Sequence, residues 1–228
     1  MLRTLLRLTL AALVRLILRP RVRGLENLPP GPFIIASNHL SFFDSLFIPI
    51  LTPRRVHFVG KQGWLEMPGL KGKAQALFFR SIDMISIDKS SGAGVTSGLT
   101  GALDILKRGD VVGIHVEGGR SPDGRLYKGN AGVAWLALAG GFPVVPCGLI
   151  GTDKVHPVGS KRLHVARFTV NFGAPLTFEE DHGRQADRRV RRTVTDRITQ
   201  AIAAQSGQEY ADIYLSTVRE RMKQNSGA

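Results

Sequence analysis

Apolar residues along the chain fall into two kinds of run, and their alternation predicts an architecture. Short runs of four to seven mostly apolar residues read as strands buried on both faces. Longer segments between them, with apolar positions every three or four residues, read as helices. In chain order "PFIIAS" is a strand, residues 44–51 a short helix, "RVHFVG" a strand, residues 69–80 a helix and "MISI" a strand. Residues 94–108 follow as a helix, "VVGIHV" as a strand, 130–139 as a helix, "PVVPCGLI" as a strand and "LHVARFTVNFG" as a long final strand. Residues 184–204 set Val190, Val194, Ile198 and Ile202 at steps of four among Arg188, Arg189, Arg191 and Arg192, an amphipathic helix suited to cover a sheet. A last helix is expected over about 208–223, followed by a polar tail. Strands alternating with helices predict an α/β domain with a mainly parallel central sheet flanked by helices. In such a sheet, chemistry gathers in the loops beyond the carboxyl ends of the strands.

The first nineteen residues, "MLRTLLRLTLAALVRLILR", follow a different pattern. Arg3, Arg7, Arg15 and Arg19 are spaced by multiples of four, which at about 100° per residue puts them within roughly 160° of one helical face. The seven-residue apolar run between Arg7 and Arg15 is too short for a transmembrane span, and a central arginine in a bilayer costs on the order of 2.5–3.5 kcal/mol. The reading is an amphipathic, membrane-binding helix at 1–19, its arginines on lipid phosphates and its leucines in the acyl boundary, with a helix docked on its own domain as the alternative. A signal peptide fits poorly, because "RPRVRG" rather than a small-residue cleavage site comes next. Residues 20–228 are then a single domain, reached through the Pro- and Gly-rich loop "RPRVRGLENLPPGP".

Composition sharpens the choice of partner. The chain of 228 residues carries 31 Lys plus Arg against 18 Asp plus Glu, a net charge of +13, which calls for an anionic partner: nucleic acid, an anionic membrane surface or phosphorylated small molecules. Aromatic residues make up only 7% and few interleave with the basic clusters, which argues against a nucleic-acid-binding module that stacks bases. The single cysteine, Cys147, excludes an internal disulfide framework or a paired-cysteine zinc site. That usage suits a reducing, cytosolic side, so the expected location is the cytoplasmic face of a membrane.

Two stretches carry candidate chemistry. "ASNHLSFFDS" places His39 five positions before Asp44, between a strand and a helix. That spacing is wrong for one face of a regular helix and favours a turn that folds Asp44 back toward His39. "IHVEGGRSPDGRLYKGNAGVA", residues 114–134, leaves a strand through Glu117, two glycines, Arg120 and Ser121. Glycines admit close backbone approach and an arginine grips phosphate with a planar fork, so this loop is a candidate anion site. No G-x-S-x-G elbow, P-loop, H-E-x-x-H or proper dinucleotide fingerprint is present. His57, His115, His156, His164 and His182 are scattered without ligand spacing, and no metal site is expected; His57, His115 and His164 sit in strand-like runs and read as structural.

Taken together, an N-H-x-S-x-x-D motif after the first strand and Glu-Gly-x-Arg-Ser beginning 78 positions after His39 resemble the glycerolipid acyltransferases that convert lysophosphatidic acid to phosphatidic acid. The resemblance covers about residues 31–152. "GKQGWLEMPGL…FFRSIDMISIDKS" is similar to the family's second block, matching Lys61, Pro68 and "ISIDK", and "FPVVPCGLIGTDKV" is similar to the fourth, centred on Pro146. Gly119 stands where the family usually has threonine and Lys89 where it usually has arginine. The resemblance implies an acyl transfer from acyl-CoA or acyl carrier protein, as co-substrate with no further cofactor, to a lysophospholipid hydroxyl. Other acceptors would be glycerol 3-phosphate, a lyso-glycolipid or a lyso-aminolipid, and the contrasting class is a non-catalytic lipid-binding protein. His39 and Asp44 are then the expected catalytic dyad, with histidine the natural base because its ordinary pKa lies near about 6.5. Glu117, Gly118, Arg120, Ser121, Lys61 and Lys89 are the expected substrate-binding residues, Arg120 foremost for phosphate. Glu117 has a second reading, as a hydrogen-bond partner behind the dyad. Ser121 is read as turning the loop, Asn38 as fixing the turn, and Ser41 as a cap for the following helix.

Overall fold

Strands with no polar face need cover on both sides, and that requirement organises the chain. The computed structural model describes residues 2–61, 69, 83–87, 91–160 and 162–226, without the side chains of residues 2–6, 61 and 226. Helix α1 spans Leu2–Ile17, followed by strand β1 (Arg21–Arg23), β2 (Ile34–Ser37), helix α2 (Asp44–Leu51), β3 (Val56–Lys61) and β4 (Ile85–Ile87). Then come α3 (Gly92–Lys107), β5 (Val111–His115), β6 (Leu126–Tyr127), α4 (Gly132–Gly140), β7 (Val144–Ile150) and the single-turn α5 (Thr152–Val155). Strand β8 (Thr169–Phe172), α6 (Arg188–Ser206), β9 (Tyr210–Ala211) and α7 (Leu215–Ser226) complete the order.

Among the described residues, seven strands form one sheet in the order β1-β8-β7-β2-β5-β3-β4. All neighbours in it run parallel except β7 and β8. The predicted mainly parallel α/β sheet is therefore present. Its centre, β2, lies between β5 and β7 with every residue buried, so the loop after Ser37 opens at the middle of the sheet's carboxyl edge. One face is covered by α3, α4 and α6 around Ile34, Val112, Leu136 and Ile198, the other by α2 with Phe33, Ile35, Phe47 and Phe58. At Gly148 the backbone of α6 sits so close that a Cβ would lie 2.4 Å from the Gln205 carbonyl carbon, so only glycine lets this helix lie on β7.

Three sequence expectations need correction. The long strand over 163–173 shortens to Thr169–Phe172. Before it, Leu163 and Val165 are exposed, and the His164 amide donates to the Val155 carbonyl, so this stretch runs as a strap beside α5. The last helix starts at Leu215 rather than near 208, because Tyr210 and Ala211 first pair in parallel with Leu126 and Tyr127 as β9 and β6. The loop after α1 contains an edge strand, β1, paired with β8. Of the helix expected over 69–80, all but residue 69 lies outside the described residues.

Helix α1 docks on the domain and also leaves a greasy outer face. Ala11 is buried, and Val14 and Leu18 pack against the cluster that contains Phe47, Val155 and Phe168. The Arg7 guanidinium turns inward and donates to the Thr52 carbonyl at the end of α2, so the arginines do not form a single outward row. Leu8, Leu13, Leu16 and Ile17 face outward, beside exposed Arg15 and Arg19. Among the described residues no helix is long and apolar enough to cross a membrane.

Candidate active site

Strand β2 ends at Ser37 and α2 begins at Asp44, so the chain must turn between them. The Asp44 carboxylate organises that turn. Its Oδ2 accepts from the amides of Leu40 and Ser41, both at 2.7 Å, and lies 3.0 Å from His39 Nδ1. Because a carboxylate only accepts, Nδ1 carries the proton and Nε2 is the basic nitrogen. Asp44 is fully buried and His39 nearly so. Burial pushes the Asp44 carboxyl above the usual carboxylate range, opposed by the charge of His115, the Ser41 amide, the Thr152 hydroxyl and the Leu40 amide. Three donors converge on one oxygen, and each favours the ionised form of this buried group against its desolvation. Ser41 contributes to the turn: its hydroxyl accepts from the Phe43 amide, 3.4 Å away, just before α2.

Glu117, beyond the end of β5, reaches across to this turn. Its Oε2 accepts from the His39 amide and its Oε1 from the Tyr127 amide, each at 2.9 Å. The carboxyl thus clamps the His39–Asp44 turn to β6. Burial pushes its pKa up to about 8, against the pull of both amides and of Arg219, and with a further push from Asp44. Asn38 fixes the turn from the other side, its Nδ2 donating to the Leu149 carbonyl and its Oδ1 accepting from the Leu149 amide. Nδ2 also donates to Gln208 Oε1, tying in the segment before β9.

The anion loop keeps little of its amide capacity for a ligand at Gly118. That residue adopts φ +71°, where glycine is at home, and its N–H donates to the His115 carbonyl. Ser121 is buried; its amide donates to the His39 carbonyl at 2.8 Å and its hydroxyl accepts from the Gly124 amide. It turns the loop and binds it to the turn that carries His39. Arg120 lies half-buried on the same loop. Lys89 lies outside the described residues, as does the side chain of Lys61 at the end of β3.

Two residues at the site escaped the sequence reading. His115, which its strand-like run marks as structural, stacks on His39 with ring centroids 3.7 Å apart and planes within 3°. Its Nδ1 lies 2.9 Å from the Asn38 carbonyl, which can only accept, so Nδ1 is protonated; Nε2 faces the Ser45 hydroxyl at 3.1 Å. Arg219, on α7, donates from Nη2 to the Arg120 carbonyl at 2.9 Å. No motif spacing marks either residue. His115 could have been suspected only from its place two residues before Glu117 on a strand adjoining β2. Cys147 is buried in β7, where desolvation pushes its thiol pKa up, so it offers no thiolate. Among the described residues no group of three His, Cys, Asp or Glu side chains is arranged to hold a metal ion.

A buried histidine oriented by a carboxylate at the carboxyl edge of a parallel sheet can serve as a general base, and the adjoining arginine loop can bind an anion. The chain is 32% identical over 142 residues to the chloroplastic 1-acyl-sn-glycerol-3-phosphate acyltransferase BAT2 of Brassica napus, covering 61% of this chain and 40% of that protein. It is 31% identical over 169 residues to the chloroplastic 1-acyl-sn-glycerol-3-phosphate acyltransferase LPAT1 of Arabidopsis thaliana, covering 73% and 44%. The chain therefore spans less than half the length of these two relatives. In fold it is similar to the crystal structure of the 1-acyl-sn-glycerophosphate (LPA) acyltransferase PlsC from Thermotoga maritima, with a TM-score of 0.62, 20% identity, and 89% of this chain and 82% of that one covered. Residues 19–150, which include both the dyad and the Glu117–Ser121 loop, match the family described as Acyltransferase, and the chain belongs to that family.

Proposed function

We propose that the protein transfers a fatty acyl group from a thioester donor, acyl-CoA or acyl carrier protein, to the hydroxyl of a lysophospholipid, with lysophosphatidic acid as the acceptor and phosphatidic acid as the product. The observation that carries this reading is the contact of His39 Nδ1 with Asp44 at 3.0 Å, which commits one ring nitrogen and orients the other. Nε2 takes the proton of the acceptor hydroxyl as its oxygen attacks the thioester carbonyl. The tetrahedral intermediate then expels the thiolate, which recovers the proton from the imidazolium. Asp44 stabilises that imidazolium and holds the ring, a service that general-base catalysis rewards with about 10²–10⁴ in rate. Arg120 receives the acceptor phosphate, and Glu117 and Ser121 hold the loop that carries it.

Fatty substrates also explain the outer face of α1. With Leu8, Leu13, Leu16 and Ile17 outward and Arg15 and Arg19 beside them, the helix is suited to lie on an anionic membrane, which makes the enzyme peripheral, with its substrates delivered from that surface.

The test is thiol release from a long-chain acyl-CoA by the purified protein, with and without lysophosphatidic acid, beside His39→Ala. Acceptor-dependent release with phosphatidic acid as product, lost in His39→Ala, is expected. Full activity in His39→Ala would sink the mechanism.

A further inference from the structure

The C-terminal segment reaches the anion loop by a fixed route. Gln208 donates from Nε2 to the Gly124 carbonyl while its Oε1 accepts from Asn38. The amides of Leu126 and Lys128 donate to the carbonyls of Glu209 and Ile213, and Lys128 pairs with Asp212 at 2.7 Å. Leu215 is buried at the start of α7. This anchoring carries Arg219 over the turn Gly118–Gly119–Arg120.

There the guanidinium occupies the room that a side chain at position 119 would need. A Cβ on Gly119 would lie 2.7 Å from Arg219 Nη1, 2.8 Å from Nη2 and 3.0 Å from Cζ. Arg219 thus lies against the bare backbone of the loop while remaining exposed to solvent. Its Nη2 donates to the Arg120 carbonyl at 2.9 Å, which sets this cation on the backbone of the residue that carries the other; desolvation against the loop and then the charge of Arg120 lower its pKa, and Glu117 opposes them. Two arginines that meet at one turn beside the His39–Asp44 pair suit an anion that touches both, and a phosphomonoester, with a charge of about −1.5 to −2, balances the pair better than a phosphodiester.

We propose that Arg219 and Arg120 form a two-guanidinium seat for the phosphomonoester of the acceptor, with Gly119 leaving space for the second arginine. The inference rests on the acyltransferase reading, and names Arg219 as the residue that selects a phosphomonoester acceptor over a lyso-lipid with a phosphodiester head group. Arg219 touches the acceptor's head group and not its hydroxyl, so it acts on binding rather than on the chemical step.

Steady-state kinetics at saturating acyl-CoA give the first test. Arg219→Ala is expected to raise the KM for lysophosphatidic acid by about 10- to 100-fold, the loss of a hydrogen bond between charged groups, while leaving kcat and the donor KM within about twofold. Arg219→Lys should recover part of the loss, and Gly119→Ala, which displaces the guanidinium, should show an intermediate one. An unchanged acceptor KM in Arg219→Ala, or a fall in kcat alone, overturns the proposal. Calorimetric binding of glycerol 3-phosphate without donor tests the seat apart from turnover, with unfolding midpoints confirming that the variants are folded. Arg219-dependent binding by a protein that does not turn over lysophosphatidic acid would preserve the seat and defeat the functional reading. Absence of binding by the wild type, or equal affinity in Arg219→Ala, defeats the seat.

Discussion

The imidazoles of His39 and His115 lie parallel, 3.7 Å apart, the second pinned by Ser45 and by the Asn38 carbonyl. Asp44 fixes one edge of the His39 ring, and His115 fixes its plane. We expect His115→Leu to lower kcat by about 10-fold with little change in KM, because reaction geometry is sensitive to small misplacements of a base. His115→Phe, which keeps a flat ring on the stack, should retain most of the activity. Equal kcat in His115→Leu and wild type would show that the stack does not position the base.

Asp44→Asn keeps the shape of the turn and removes the charge. One amide oxygen can still accept from Leu40 and Ser41, but the imidazolium formed in the reaction loses its counter-charge. The expected result is a fall in kcat of about 10²- to 10⁴-fold with the fold intact, read by activity alongside circular dichroism. A loss of less than tenfold would remove Asp44 from the mechanism.

Glu117 makes stability depend on pH in a defined direction. Its folded pKa of about 8 exceeds the ordinary value of 4.5, so between those limits the folded state holds a proton that the unfolded state has lost. Stability from this group is therefore greatest below about pH 4.5 and declines as pH rises to about 8. Urea midpoints at pH 5, 7 and 9 should fall more steeply in the wild type than in Glu117→Gln, which cannot ionise. Superimposable pH profiles would mean that burial does not act on this carboxyl as described.

Three outward leucines of α1 carry a membrane prediction. Replacing Leu8, Leu13 and Leu16 by serine leaves the Ala11, Val14 and Leu18 side against the domain and should weaken sedimentation with vesicles of anionic lipid by about 10-fold or more, since each large apolar side chain is worth about 1.5–3 kcal/mol when buried. Undiminished sedimentation would assign membrane binding to the basic surface of the domain instead.

The strand pattern was legible because strands buried on both faces cannot hide their apolar runs: "PFIIAS", "VVGIHV" and "PVVPCGLI" all fall at the sheet centre. The His39–Asp44 pair was legible because both partners lie within one turn. The strap at 163–168 misled because Val165 and Phe168 look like strand residues, yet only Phe168 is buried. Arg219 depends on which distant segments the fold brings together, and residue order contains no short-range trace of that; the place of Glu117 behind His39 is legible only through the family resemblance. Arg7 was read with the other arginines because helical phase places it on their side; a single carbonyl, at Thr52, turned it inward.

The tie of Asn38 to Gln208 joins residues 170 positions apart. Every strand of the large sheet is complete by Phe172, so a nascent chain can assemble its whole sheet before the segment that braces the catalytic turn has been made. The tie can form only once Gln208 has been made, so the brace on this turn arrives after the framework does. Synthesis of the segment around Gln208, rather than folding of the sheet, would then complete the turn that holds His39 and Asp44.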